Sequence, residues 1–196
     1  MSHGVFGPVT NHRTCPGCQS SFTKDVKNNT WDSMGVASPE CYEVFLKIIS
    51  YNDVRFSFLP LKKLIISAYA VQHLSCLEVQ IALGIDRDAR ASSVQDIPLH
   101  LLRLFLTVEK GFSTEKVEKE FDDVRQKILE KRIIFLEPKR TKGLIELRAT
   151  DVWDSINYAK LTQEEYVDLM RRFAETTWDA WFEYHDFVRN IYKTHR

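Results

Sequence analysis

The stretch TQEEYVDLMRRFAETTWDAWFEYHDFVRNI, residues 162–191, decides the fold class. Tyr166, Leu169, Phe173, Thr177, Ala180, Tyr184, Val188 and Ile191 recur at steps of three and four, the spacing of one helix face. Trp178, Trp181 and Phe182 widen that face. Thr162 and Glu165 form a capping box, in which each side chain satisfies an orphan N–H of the first turn. The spacing predicts one helix of about thirty residues, on the order of 45 Å long. A chain organised around such an element is mainly α.

Upstream, Ser113 or Thr114 starts a helix whose stripe of Val117, Phe121, Val124 and Ile128 lies among balanced charges, so it is a surface helix. Pro98 opens a short apolar helix through Val108 that Gly111 ends. Residues 84–96 read as a polar connection. Residues 61–73 are apolar on nearly every side, which predicts a central, buried helix. The first helix starts at Ser38-Pro39-Glu40-Cys41, where Ser38 is an N-cap, Pro39 suits the first turn and Glu40 suits the positive end of the dipole. Val44, Phe45, Ile48 and Ile49 follow at helical spacing. Two short runs, 132–136 and 144–147, flank a Lys/Arg/Gly turn and predict a small β-hairpin. Residues 1–37, rich in Gly, Ser, Thr and Asn, read as an irregular arm.

At 196 residues the chain can bury a real core, so no metal is needed to rescue an undersized fold. Lys+Arg and Asp+Glu both number 27, and that balance argues against a nucleic-acid binder, which would show a basic excess. No apolar run approaches the roughly 20 residues that cross a bilayer, so no membrane partner is expected. Residues 1–14 lack the charged start and apolar middle of a secretory signal. The expectation is a cytoplasmic protein, where thiols stay reduced and cysteines point to metal or reactivity sooner than to disulfides. Composition says nothing about the partner or the oligomeric state.

The arm carries Cys15-Pro16-Gly17-Cys18, a turn that lets two thiolates grip one ion. Zinc needs two more ligands. Cys41 is the best third, because it sits in the first turn of a helix, where the dipole and free N–H groups favour a thiolate. A histidine completes the tetrahedron. The fold expected is therefore a helical, bundle-like single domain over residues 1–196. Residues 1–37 form a loop-rich arm with a zinc knuckle, and 38–196 form the helical body. Two other readings of the pair stay open. It could be a redox dithiol, although thioredoxin-type motifs follow a strand and open a helix. Alternatively the cysteines bind nothing. Cys76, among Leu74, Leu77 and Val79, reads as a buried, inert thiol.

Of six histidines, His3, His12 and His195 lie near the termini, with His12 close to Cys15. His73, His100 and His185 each lie on a predicted helix beside apolar residues, and His185 shares a face with Trp178 and Trp181. Singly, each also reads as a core histidine held by hydrogen bonds. Together, three inward histidines on separate helices could build a metal site, as helix bundles do. No G-x-S-x-G, phosphate-binding glycine loop or H-E-x-x-H occurs.

CPGC at 15–18, SPECYEVF at 38–45, AYAVQH at 68–73, SSVQDIPLHLLRLFLTVEKGF at 92–112, FLEP at 135–138 and WDAWFEYHDFVR at 178–189 occur in order. This succession resembles a bacterial family of uncharacterised proteins, a domain of unknown function, over nearly the whole span 15–189. The resemblance implies that the CPGC pair, Cys41, His73, His100 and His185 belong to the family pattern. It also implies three departures: typical members look to have His near Lys62, Asp at Ser67 and a second His at Tyr184. The stretch 74–91 is longer than usual in that pattern. No established activity comes with the resemblance.

Two functions follow. In the first, Cys15, Cys18, Cys41 and His73 hold a structural zinc that pins the arm to the helices of a binding or regulatory module. In the second, a metal-dependent enzyme, a hydrolase or thiol transferase, uses a core ion held by some of His73, His100 and His185.

Overall fold

The computed structural model describes residues 12–23, 37–73, 87–135 and 145–196, with the backbone alone at 12–13, 23 and 87–95. Two short antiparallel strands come first, β1 (His12–Thr14) and β2 (Ser21–Thr23), with Arg13 opposite Phe22. The helices follow: α1 (Pro39–Arg55), α2 (Leu59–His73), α3 (Arg87–Val108), α4 (Thr114–Glu130), α5 (Ala149–Tyr158) and α6 (Gln163–Asp179). A 3-10 turn at Phe182–Tyr184 then leads into α7 (His185–His195). The fold is mainly α, as the periodicity predicts. No helix among the described residues is long and apolar enough to cross a membrane.

The core sits where α2, α3 and α6 pack on one another, each touching the other two. The nearly all-round apolarity of α2 is explained by that position. Leu61, Leu64, Ile65, Ala68 and Val71 are all buried on it, against Leu101, Leu102 and Phe105 of α3 and Phe173 and Trp178 of α6 as members of one core. Full burial of such side chains stabilises by about 1.5–3 kcal/mol each. The α1 helix leans on α2 and α5, while α4 and α7 flank α3. The amphipathic stripe of α4 faces inward as expected, with Val117, Phe121, Val124 and Ile128 buried.

Helix starts follow the caps. Ser38 Oγ accepts from Cys41 N–H at 3.2 Å and Pro39 fills the first helical position. The Thr162–Glu165 box is complete: Thr162 N–H donates to Glu165 Oε2 at 2.8 Å and Glu165 N–H to Thr162 Oγ1 at 3.3 Å.

Four sequence expectations are corrected. The helix through 162–191 is broken, not continuous. After Asp179 the backbone tightens, with Trp181 N–H donating to Trp178 C=O and Tyr184 N–H to Trp181 C=O, both at 2.8 Å. His185 supplies the cause. Its ring stacks on Trp178 at 3.9 Å with an interplanar angle of 2°, and its Nε2–H donates to the Trp178 carbonyl at 3.0 Å. A side chain thereby satisfies the carbonyl that a continuing helix would have used. The polar stretch read as a connection at 84–96 is helical from Arg87, so Pro98 lies inside α3 rather than at its start. Ala89, Arg90 and Ala91 have good helix propensity, and that outweighs the polarity. A helix forms at 149–158, where none is predicted, because its N-cap is Arg148 instead of Ser, Thr, Asp or Asn. Asp151 compensates, its Oδ2 accepting from Arg148 N–H at 2.8 Å. Finally, the hairpin lies within the arm at 12–23. Residues 133–135 and 145–147 are not strand, and 136–144 lie outside the described residues.

Thr162→Ala is expected to cost about 1 kcal/mol and to lower Tm by about 2–4 °C in thermal unfolding followed by circular dichroism. An unchanged Tm would show that the box does not hold α6.

Candidate metal centre

The hairpin exists to present a turn. Cys15 N–H donates to Ser20 C=O at 2.8 Å and Gln19 N–H to Cys15 C=O at 3.0 Å, closing a loop around residues 16–18. Gln19 takes the left-handed conformation, φ 65°, that lets the chain turn back into β2. Both thiols face inward, with Cys15 and Cys18 buried. The loop rests directly on the last residue of α2. A Cβ at Gly17 would lie 2.6 Å from His73 Cδ2 and 2.7 Å from His73 Cα, so only glycine permits this approach.

Two helices bring the other donors. Cys41, fully buried in the first turn of α1, places Sγ 3.6 Å from Cys18 Sγ and 3.1 Å from His73 Nε2. His73 Nδ1–H donates to the Tyr69 carbonyl at 2.7 Å. That bond keeps a proton on Nδ1, so Nε2 is the nitrogen that faces the sulfurs. The ligand atoms of Cys15, Cys18, Cys41 and His73 all lie within 4.8 Å of one another, and all four residues are buried. A tetrahedron with metal–sulfur bonds of about 2.3 Å and metal–nitrogen bonds of about 2.05 Å has edges of roughly 3.8 and 3.5 Å. The Cys18–Cys41 edge of 3.6 Å and the Cys41–His73 edge of 3.1 Å are a few tenths of an ångström tighter than these, and no pair in the group exceeds 4.8 Å. This group could hold a metal ion.

Without an ion the pocket confines three sulfurs and an imidazole, and their protons redistribute. Hydrogen bonds from Cys18 and then Cys41 hold the Cys15 thiol far below its ordinary range, whereas Cys15 and Cys18 push Cys41 far above it. Burial pulls His73 down, but Cys15 and Cys18 outweigh it and the imidazole is pushed up to about 9. Polar groups lie close to two of the sulfurs: Ser38 N–H donates to Cys15 Sγ at 3.4 Å, and Ser20 Oγ lies 3.1 Å from Cys18 Sγ.

The other two core histidines do not join this group. His100 Nδ1 and Ser67 Oγ are within hydrogen-bond distance at 3.2 Å, and Arg103 donates to the same oxygen at 3.2 Å. Burial, then the Arg103 charge, pull His100 down to about 4, which keeps it neutral. His185 is taken up by Trp178, with Nδ1 3.8 Å from Glu109 Oε1. Among the described residues, only Cys15, Cys18, Cys41 and His73 form a metal-sized group. Of the three histidines expected to share a core site, His73 lies in this group, and His100 and His185 are each bonded to a different neighbour. Where the resemblance implies His, Asp and His, Lys62 pairs with Asp53, Ser67 joins the His100–Arg103 network and Tyr184 packs edge-on against Trp181. His3 and Cys76 lie outside the described residues, as does the side chain of His12.

Gly17, Ser20 and Ser38 shape the centre yet are not singled out as its parts by the sequence. The Cys-x-x-Cys turn is the only signal for Gly17, and Ser38 is visible as a cap. Nothing in the sequence marks Ser20.

The model of a family of unknown function, DUF5946, matches residues 13–182 and so spans all four grouped residues. No curated protein and no solved structure matches the chain.

Gly17→Ala must displace His73 backbone or the turn itself. The expected result is a folded helical protein, destabilised by about 1–3 kcal/mol, with metal affinity reduced. Metal titration checks this, and an affinity equal to wild type would refute the close approach.

Proposed function

We propose that this chain, which belongs to the DUF5946 family of unknown function, is a zinc-binding helical protein whose Cys15, Cys18, Cys41 and His73 hold a structural ion. One observation carries the reading: four buried ligand atoms of suitable type, from three separate segments, lie within 4.8 Å of one another. Three thiolates and an imidazole suit zinc, a borderline-soft ion with no preferred geometry beyond the tetrahedron. Such a centre carries a formal charge of −1, and the positive N-terminal end of α1, with the Ser38 N–H, is placed to accept it.

With protein atoms at all four positions, no coordination site is left for water, so the ion is structural rather than catalytic. It staples the hairpin to the start of α1 and the end of α2. The domain then works through its surface, as a binding or regulatory module.

Purified under reducing conditions, the chain is expected to contain about one zinc per molecule by elemental analysis. Cys15→Ser is expected to lose that zinc, and stoichiometric zinc in this variant would overturn the assignment. Binding must also displace protons, because Cys41 and His73 both hold theirs at pH 7 in the metal-free pocket. Calorimetry in buffers of different ionisation enthalpy is expected to show proton release on binding, from Cys41 and His73 at least. Affinity accordingly rises with pH, and rises less steeply above about 9, where the imidazole gives up its proton while Cys41 still holds its own. Binding without proton release would count against this ligand set.

A further inference from the structure

Beyond the four ligands, a line of hydroxyls leads from the sulfur of Cys18 to a helix that supplies no ligand. Ser20 Oγ lies 3.1 Å from Cys18 Sγ, and on its other side 3.0 Å from Thr150 Oγ1. Ser20 is almost completely buried, and Thr150 is the second residue of α5. The neighbouring Arg148 reaches Gln19 C=O at 3.5 Å, so two contacts hold the start of α5 against the knuckle.

Proton counting gives this line a direction. A thiolate bound to a metal has no hydrogen and can only accept. Ser20 has one hydroxyl hydrogen and, facing that thiolate, must donate it to Cys18 Sγ. Its oxygen is then free to accept, so Thr150 O–H donates to Ser20 Oγ. When Cys18 carries its own proton, the opposite direction is open: S–H to Ser20, and Ser20 to Thr150.

We propose that Ser20 and Thr150 are positioning residues for the metal centre, a two-hydroxyl relay that donates into Cys18 Sγ and couples metal binding to the seating of α5 on the knuckle. The inference rests on the zinc reading above. The relay withdraws charge from one thiolate of an anionic centre. It also holds that sulfur in the orientation that the Cys-x-x-Cys turn alone leaves free. Hydrogen bonds of this kind, made to a ligand and not to the ion, commonly change metal affinity by about 10- to 100-fold.

The test uses the full chain loaded with cobalt(II), whose thiolate-to-metal charge-transfer absorption reports the electron density on sulfur. Ser20→Ala is expected to move that band to longer wavelength and to weaken cobalt binding about tenfold or more. Ser20→Thr, which keeps the hydroxyl, restores both. Thr150→Ala is expected to move the band the same way by a smaller amount, and Thr150→Ser to restore it. An unmoved band in Ser20→Ala overturns the proposal, and a band that moves in Ser20→Ala but not in Thr150→Ala removes Thr150 from the relay. Should Ser20→Ala fail to fold, Thr150→Ala decides alone, because its side chain is only half-buried at the rim. A wild-type chain that gives no thiolate–cobalt band overturns the zinc reading itself, a failure distinct from that of the relay.

Discussion

Crowding of like donors is the constraint on which the rest of the structure turns. Three sulfurs and a ring nitrogen share a space a few ångströms wide, buried from water. Without a cation, three thiolates cannot coexist there, and the opposite shifts of Cys15 and Cys41 express that conflict. A divalent ion held by this group would resolve it, because attraction to the metal replaces repulsion between sulfurs. The backbone ends are arranged to match. Cys41 enters from a helix N-terminus, where negative charge is favoured, while the neutral imidazole enters from the C-terminal residue of α2, where a thiolate would be disfavoured.

The centre is only as rigid as the element that carries its nitrogen donor, and α2 packs against α1, α3, α4 and α6. Its sides are covered by α3 and α6. Its last turn is held from outside: Trp181 Nε1–H donates to the Val71 carbonyl at 3.1 Å, and Gln72 Nε2–H donates to the Leu147 carbonyl and to Thr177 Oγ1 at 2.8 and 2.9 Å. The break after Asp179 is what delivers Trp181 to that position. The turn that interrupts the C-terminal helix therefore closes the end of α2, one residue from the site.

Much of this was legible in the sequence, and the reasons differ residue by residue. Helices with a cap and a stripe, such as 39–55, 114–130 and 163–179, follow from local rules, since cap chemistry and periodicity act within a few residues. The Cys15/Cys18/Cys41/His73 group was readable because ligand types, turn spacing and helix position agree. What escaped depends on contacts distant in sequence. The steps Thr177, Ala180, Tyr184 and Val188 satisfy a continuous helix equally well, and the contacts of His185 with Trp178 at the break do not show in that spacing. All three core histidines sit beside apolar residues on predicted helices, and their separate partners, Tyr69, Ser67 and Trp178, were not readable from spacing.

The seating of Gly17 on His73 has a consequence for assembly. During synthesis the two knuckle sulfurs leave the ribosome well before α2 has emerged, and the platform on which their turn rests does not yet exist. A nascent arm can grip an ion with two thiolates, then with a third, but the closing partner arrives last and only as part of a formed helix. On the proposed zinc reading, the final bond to the ion would therefore form only once the bundle interior has packed.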